Sequence, residues 1–386
     1  MERISLKPGD VSLGQPLPWP VYDHRDVMLL RQGKTVDDFD QLMGLMERGA
    51  WHPPLEETAV SGSSRRKRPR IRVEPFARLG MLMSRIRRMH QRVFEQKEEG
   101  IRELYGIRDQ LMELVHLDAD AMIAAVHLWR QFPYSTRHAA FAAILTTLLA
   151  RTMELKTAKS VVGAALVQNV GFYEEHDRMA SSVGVLGEAE RLKLQAHPEA
   201  SVKYLTGVGV EDEVLIEAVR NHHERIDGEG YPRGLSGYEV ARESQLLAIT
   251  DQYIAMTSPR LYRDALNPLS ALTQLFFVGG RAVDREVSDR LIRVLSVAPP
   301  GASVALDDGV TALVVRRGNI SGKPLVAAAD SVDDRGRARR ENFLRILDCQ
   351  DAGRRVVGPA QTFAVQAEDL EYLWLENPSA QNRVNP

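Results

Sequence analysis

The sequence predicts a mainly α protein, a helical bundle with a small α+β unit before it and a small β-containing extension after it. Apolar residues recur every three or four positions through most of residues 76–295, which is the period of one helix face. Short apolar runs before residue 55 and after residue 300 are separated by turn residues, a pattern typical of strands. A bundle of this kind builds its functional site from side chains on facing helices.

Residues 1–58 are expected to form the small α+β unit. Val21-Tyr22 and Met28-Leu29-Leu30 flank a polar run, Asp23-His24-Arg25-Asp26, which predicts a hairpin. Residues 37–48 have helical spacing. A linker is predicted over residues 59–75, because SGSSRRKRPR at positions 61–70 is polar and strongly basic. A docking patch for an anionic partner is the alternative interpretation of this run.

Helices dominate the middle of the chain. We expect connecting helices over residues 76–116 and a helical domain over residues 117–300. The predicted helices of that domain are His138–Glu154, Lys159–Val170, Glu188–Thr206, Glu213–His223, Glu239–Thr257 and Pro268–Gly279.

Residues 301–386 are predicted to form the β-containing extension. It begins with a hairpin of residues 303–306 and 311–315 around the turn Asp307-Asp308-Gly309. Residues 325–328 and 343–347 are further predicted strands.

Composition excludes several classes of protein. The chain has 386 residues and a net charge of -2, so it lacks the basic field that DNA binding requires. Cys349 is the only cysteine, which excludes an internal disulfide. The most apolar stretch, residues 139–150, is shorter than the ~20 residues of a membrane span. The N-terminus has no apolar leader segment, so we expect a cytoplasmic protein.

The most informative stretch is residues 222–232, which reads HHERIDGEGYP. Its two histidines lie at the end of a predicted helix, where neighbouring side chains point ~100° apart. The two histidines are therefore expected to bind at two adjacent positions rather than to the same ion. Asp227-Gly228 and Gly230 predict a tight loop, and Tyr231-Pro232 is expected to form a rigid end to that loop. The alternative is a helix end followed by a purely structural turn.

This string resembles the HHExxDGxGYP signature of HD-GYP domains, which belong to bacterial cyclic di-GMP signalling, at every defined position. His138, His197-Pro198-Glu199 and Asp251 match further family positions in order. The resemblance covers about residues 117–300. It implies an HD-type helical bundle that hydrolyses cyclic di-GMP with two or three metal ions, often iron or manganese.

The resemblance also implies roles for individual residues. It assigns metal binding to His138, His197, His222, His223 and Asp251. It assigns substrate binding to Arg260, Arg263 and Tyr231, and a loop to Asp227, Gly228, Gly230, Tyr231 and Pro232.

Several family positions have changed in this chain. Gln168-Asn169 occupies the place of the family's His-Asp dyad, whose aspartate bridges the metals. A neutral amide is a poor ligand for iron and manganese, and without the carboxylate nothing offsets the repulsion between two cations. Phe172, Tyr134 and Ile254 replace a lysine, a glutamate and an aspartate of the family.

These changes predict a degenerate metal site with weak or no phosphodiesterase activity, and they leave the catalytic residues unassigned. A second His-Asp pair, His176-Asp177, lies in a polar segment. We expect it to be a loop pair rather than a displaced dyad.

Three functions remain open. The first is a signalling protein that binds cyclic di-GMP or a related dinucleotide, or docks to GGDEF-type proteins through its GYP loop. The second is an active phosphodiesterase with a reduced metal set. The third is a metal-free HD-fold scaffold, against which the phosphate-facing Arg260, Tyr262 and Arg263 argue. The sequence leaves open whether three histidines and Asp251 bind one iron or manganese ion or whether the site binds no metal. It also leaves open whether the chain forms a homodimer.

Overall fold

The structure is a computed structural model in which the chain forms two compact units, Met1–Ser84 and Arg85–Pro386. It describes residues 3–6, 17–36, 41, 44–45, 48–53, 75–182, 187–261, 263–278, 281–318, 323–329, 337–338, 343–360, 364–365, 370 and 373–374. The basic run at 61–70, Tyr262 and most of the predicted helix over 37–48 lie outside these residues. The five-part division of the chain stays a prediction.

The first unit contains a four-stranded antiparallel sheet. Its strands are β1 (Ile4–Ser5), β2 (Val21–Tyr22), β3 (Met28–Leu30) and β4 (Trp51–His52), in the order β1-β4-β2-β3. The pairing of β2 with β3 confirms the predicted hairpin. Asp23 closes its turn by accepting hydrogen bonds from the backbone N–H groups of Arg25 and Val27, which is the usual role of Asp in such turns.

The mainly α class is confirmed. The helices are α1 (Pro75–Phe94), α2 (Glu99–Leu117), α3 (Ala119–Leu128), α4 (Tyr134–Thr152), α5 (Ala158–Val167), α6 (Tyr173–Ala180), α7 (Glu188–Gly207), α8 (Glu213–Arg220), α9 (Arg242–Thr257), α10 (Pro268–Val278) and α11 (Arg285–Leu295). Short 3₁₀ turns lie at Val170–Phe172 and Gly237–Glu239. Helix α4 is buried from Tyr134 to Ala150, because it is apolar on all sides, and it packs against α5, α6, α9 and α11. Among the described helices, none is both long and apolar enough to cross a membrane.

A five-stranded antiparallel sheet follows the bundle. Its strands are β5 (Ser303–Leu306), β6 (Thr311–Arg316), β7 (Leu325–Ala329), β9 (Phe343–Asp348) and β10 (Val356–Pro359), in the order β10-β5-β6-β7-β9. Two-residue strands β8 (Arg337–Ala338) and β11 (Ala364–Val365) pair in parallel. The predicted β5–β6 hairpin is confirmed, with Gly309 at a φ of +83° in its turn. Arg316 binds Asp118, at the start of α3, through two N–O distances of 2.9 Å, and this ties the sheet to the bundle.

Candidate metal site

Three histidines converge at one point of the bundle. His197 lies on α7, and His222 and His223 follow α8. One ring nitrogen from each lies within 4.8 Å of those of the other two. We call these residues the histidine trio.

The prediction of a helix through His223 is wrong, and whether His222 and His223 bind one ion or two adjacent ions stays a prediction. Helix α8 ends at Arg220. Glu224 N–H donates to the carbonyl oxygen of Asn221 at 2.9 Å, so His222 and His223 lie in a turn. The 100° separation of helical neighbours does not apply there, and the two ring centroids are 4.2 Å apart.

The hydrogen bonds of the trio define its donor atoms. Nδ1 of His197 contacts the carbonyl oxygen of Leu194 at 2.5 Å, and Nδ1 of His222 contacts that of Val219 at 2.6 Å. A carbonyl oxygen only accepts, so each Nδ1 carries the hydrogen and each neutral ring has a bare Nε2.

The two Nε2 atoms lie 3.0 Å apart, with lone pairs facing one another. Burial lowers the pKa of His197 to about 3, and burial also lowers that of His222, so a proton does not relieve this contact. A divalent cation bound by both Nε2 atoms would remove the repulsion between their lone pairs. Metal-binding histidines usually donate their other ring N–H to a carbonyl or carboxylate oxygen, as His197 and His222 do here. The trio therefore fits a divalent cation.

A second group lies beside the trio, where α4 faces α9. Nε2 of His138 lies 2.7 Å from Oδ1 of Asp251, and Nε2 of Gln168 donates to the same oxygen at 3.2 Å. Burial opposes ionisation of Asp251. The adjacent His138 imidazole and its hydrogen bond to the carboxylate nevertheless hold the pKa of Asp251 well below its ordinary value. The carboxylate is therefore ionised and lies within electrostatic range of the trio.

The turn after α5, which carries Gln168 and Asn169, lies against α7. Gly171 N–H donates to Oγ of Ser201 at 3.1 Å. A Cβ atom at position 171 would lie 2.6 Å from the backbone of Ala200 and Ser201, so only glycine fits. The ring of Phe172 consequently stacks on that of His197, with centroids 5.5 Å apart.

The prediction that His176-Asp177 is a loop pair is wrong. Both residues lie in α6. Asp177 accepts hydrogen bonds from the backbone N–H and the hydroxyl of Ser135, at 2.6 and 2.8 Å, and so holds α6 against the start of α4. The His176 ring packs between Tyr134 and His138, with centroid distances of 4.7 and 5.1 Å.

Arg260 and Arg263 lie on the segment that follows α9. Nη2 of Arg260 donates to the hydroxyl of Tyr134 at 2.6 Å, and its guanidinium lies over the Tyr134 ring. Arg263 is exposed and donates to the carbonyl oxygen of Ala255. Arg260 thus contacts the tyrosine that packs on His176, whereas Arg263 remains at the surface.

The GYP loop is closed by Glu224. This carboxylate is 1% exposed and accepts hydrogen bonds from the backbone N–H groups of Arg233 and Leu235, at 2.6 and 2.9 Å. The Tyr231 ring stacks on the His223 ring, with centroids 4.7 Å apart. The loop is therefore joined directly to the trio.

The other loop residues shape its backbone. Gly228 has a φ of +82°, and a Cβ at Gly230 would lie 2.4 Å from the backbone nitrogen of Arg225. Asp227 is exposed and pairs with Arg225. Pro232 follows Tyr231 through a cis peptide bond. Their proposed roles in recognition stay predictions.

Sequence reasoning missed two residues. Glu224 belongs to the motif but was given no role, although a buried acid among turn residues indicates a loop closed on its backbone amides. His176 was set aside because its segment is polar. Its only signal was the dipeptide itself, since the contact of Asp177 with Ser135 spans 42 residues.

Comparisons with known proteins find similarity to HD domain proteins and to cyclic dinucleotide phosphodiesterases. Residues 120–287 match the family model described as HD domain. A cyclic di-GMP phosphodiesterase of Pseudomonas aeruginosa is 25% identical over 270 residues, 69% of this chain and 64% of that protein. A 3'3'-cGAMP-specific phosphodiesterase of Vibrio cholerae is 31% identical over 202 residues, 52% of this chain and 44% of that protein. The chain thus spans less than two thirds of the length of either relative.

A solved structure shares the fold. It is that of an HDG"Y"P protein from Bdellovibrio bacteriovorus, with a TM-score of 0.51 and 14% identity. The match covers 76% of this chain and 99% of the other.

Proposed function

We propose that this chain is an HD-GYP-type cyclic di-GMP signalling protein with little or no phosphodiesterase activity, on the basis of the HD domain match and the HHERIDGEGYP string. It would act by binding cyclic di-GMP or a related dinucleotide, or by docking to a partner. Relatives that are named phosphodiesterases of cyclic di-GMP and of 3'3'-cGAMP support the ligand class.

The observation that carries this proposal is the position of Gln168. Its amide contacts both Asp251 and His138, at 3.2 and 3.5 Å, so it lies at the metal site. An amide there adds no negative charge and no imidazole nitrogen. The site then has one carboxylate, Asp251, with which to offset the charge of bound cations, and this argues against a tightly held pair of ions.

The trio, with Asp251 beside it, would hold one iron or manganese ion. Imidazole and carboxylate donors suit either metal. When bound, such an ion polarises phosphoryl oxygens and lowers the pKa of coordinated water. The chain's own contribution would be to orient an anionic ligand, with the Arg260 guanidinium near Tyr134 and His176 and Arg263 at the surface.

The loop closed by Glu224 is the proposed docking surface. Its Glu229 and the nearby Tyr238 are exposed, while Tyr231 contacts His223. A partner such as a GGDEF-type protein would therefore bind a surface that contacts the trio directly through Tyr231. A homodimer remains a further proposal without a contact to support it.

Two alternatives compete with this proposal. An active phosphodiesterase with a reduced metal set is favoured by the convergence of the trio. A metal-free scaffold would require neither the facing Nε2 atoms of His197 and His222 nor the approach of Arg260 to the site.

The test combines binding with turnover. The full-length protein is prepared anaerobically with iron(II) or manganese(II) and titrated with cyclic di-GMP and with 3'3'-cGAMP. We expect saturable binding of one of them, weakened at least tenfold in the double variant Arg260→Ala, Arg263→Ala. The exposed Arg285→Ala variant serves as the matched control.

Hydrolysis is measured in the same samples. We expect no turnover by the wild type and a gain in the double variant Gln168→His, Asn169→Asp, which restores an imidazole and a carboxylate. Wild-type turnover that His222→Ala abolishes would favour the active enzyme. An absence of binding in folded protein would favour the scaffold.

A further inference from the structure

Helix α1 caps the end of α5 through His90. This residue is 3% exposed, and its Nε2 lies 2.7 Å from the carbonyl oxygen of Leu166. A carbonyl oxygen only accepts, so Nε2 carries the hydrogen and donates it. Leu166 is the residue before the last one of α5 and is fully buried. The last carbonyl groups of a helix have no partner within it, and His90 supplies one in a place that is closed to solvent.

The other ring nitrogen of His90 is unpaired. Burial lowers the pKa of His90, against the opposing effects of its bond to Leu166 and of the Asp177 charge, so the ring is neutral and Nδ1 is a bare acceptor. Within the described part of the chain, this buried Nδ1 makes no hydrogen bond. A buried acceptor without a partner lowers stability, so the presence of a histidine at this position calls for an explanation.

Helix α1 also contacts the chain beyond the turn that follows α5. The rings of His90 and Tyr173 have centroids 6.1 Å apart, and the Phe94 ring meets that of Tyr173 edge to face at 5.3 Å. Phe94 also stacks on Tyr204 of α7, with centroids 4.7 Å apart. Because Tyr173 is the first residue of α6, residues 167–172 run between two contacts with the same stretch of α1.

These residues include the two that reach the candidate metal site. Gln168 donates to Oδ1 of Asp251 at 3.2 Å, and Phe172 stacks on His197 of the trio with centroids 5.5 Å apart. Leu166, whose carbonyl group α1 holds, lies two residues before Gln168. A shift of α1 therefore moves the amide against Asp251 and the aromatic ring against His197 together.

We propose that His90 is a positioning residue for the candidate metal site, through which the place of α1 sets the affinity of the trio for its ion. This role rests on the proposed function, in which the trio binds one divalent cation. His90 acts through Leu166 on the turn that carries Gln168 and Phe172. Helix α1 begins at Pro75, at the end of the predicted linker, so it is the element on which a force from that linker would act.

Two substitutions at position 90 separate the hydrogen bond from packing. His90→Leu keeps an apolar side chain but has no donor, whereas the amide of His90→Gln can reach the place of Nε2 and donate to Leu166. Val294→Ala removes buried volume from α11 and is the control for a general loss of stability. Phe94→Leu removes the ring contact with Tyr173 and is the second perturbation of the turn if His90→Leu does not fold.

The first measurement is hydrogen exchange at the backbone amides of Gly171 and Phe172, each of which donates a hydrogen bond within the fold. We expect exchange about tenfold faster in His90→Leu, because the turn loses a hydrogen bond at its start. We expect exchange in His90→Gln and Val294→Ala to stay near that of the wild type.

The second measurement is the binding of cobalt(II) by metal-free full-length protein, followed through the visible absorption of the bound ion. We expect the dissociation constant to rise about tenfold in His90→Leu, the lower end of the effect of losing an outer contact to a metal ligand. His90→Gln should restore both the affinity and the spectrum, and Val294→Ala should change neither.

The outcomes separate this proposal from the proposed function. Unchanged exchange in both His90→Leu and Phe94→Leu overturns the hold of α1 on the turn. Faster exchange with unchanged cobalt(II) affinity overturns the link to the trio and leaves the proposed function intact. Equal effects of His90→Leu and Val294→Ala, or no rescue by His90→Gln, leave His90 as a packing residue. If the wild type binds no cobalt(II), the metal site of the proposed function fails, and the positioning role fails with it.

Discussion

Replacing Glu224 by glutamine tests how the GYP loop is held. The substitution preserves the shape of the side chain, but one of its two acceptor oxygens becomes an NH₂ group. Because the oxygens accept from Arg233 N–H and Leu235 N–H separately, one of these bonds is lost and two donors then face each other in a buried place.

The cost follows from the chemistry of these bonds. A hydrogen bond to a charged group contributes about 1.5–3 kcal/mol, so we expect loop opening to become easier by about 2–3 kcal/mol. Since ~1.4 kcal/mol corresponds to a factor of ten, the exchange rate of the affected amide hydrogen should rise roughly 30- to 150-fold.

Hydrogen exchange at residues 233 and 235 is the appropriate assay. Glu229→Gln is the control, because Glu229 lies in the same loop with its side chain 79% exposed, and it should leave both amides unchanged. If Glu224→Gln and Glu229→Gln exchange equally at these two amides, Glu224 does not hold the loop.

Two predictions concern stability. Asp118→Ala should lower the free energy of unfolding by about 3–5 kcal/mol, because Arg316, whose side chain is 10% exposed, loses its partner. Asp212→Ala, which removes only a helix cap, should cost about 1 kcal/mol, and equal losses in urea titrations would contradict the ion-pair explanation. Burial lowers the pKa of His127 from 6.5 to about 4, so between these pH values the unfolded chain takes up a proton that the folded chain does not, and stability falls as the pH falls. His127→Gln should remove up to about 3 kcal/mol of this loss, and an unchanged pH slope in urea titrations would refute it.

Helix positions could be predicted because each helix buries a periodic face, a local property of the sequence. The predicted segments for α5, α7 and α10 lie within a few residues of the observed helices. The end of α8 was predicted too late in the chain, because the spacing of apolar residues gives no signal for the turn at Asn221. For the same reason, the close approach of the His222 and His223 rings was not predicted.

The site was predictable only where a motif carried it. His197, His222 and His223 converge, and His138 contacts Asp251, while the metal-binding role that the resemblance implies for them stays a prediction. His176 could not be assigned, because the side of α6 that faces the bundle depends on a contact between Asp177 and Ser135 that no local pattern encodes.

At the turn that contains Gly171, different residues determine the path of the backbone and the chemistry of the site. Backbone packing against Ala200 and Ser201 determines where the turn runs, whereas residues 168 and 169 determine which atoms the turn offers. Exchanging those two side chains therefore needs no change in the backbone. A ligand set with an added imidazole and carboxylate at positions 168 and 169 therefore lies two substitutions from this sequence.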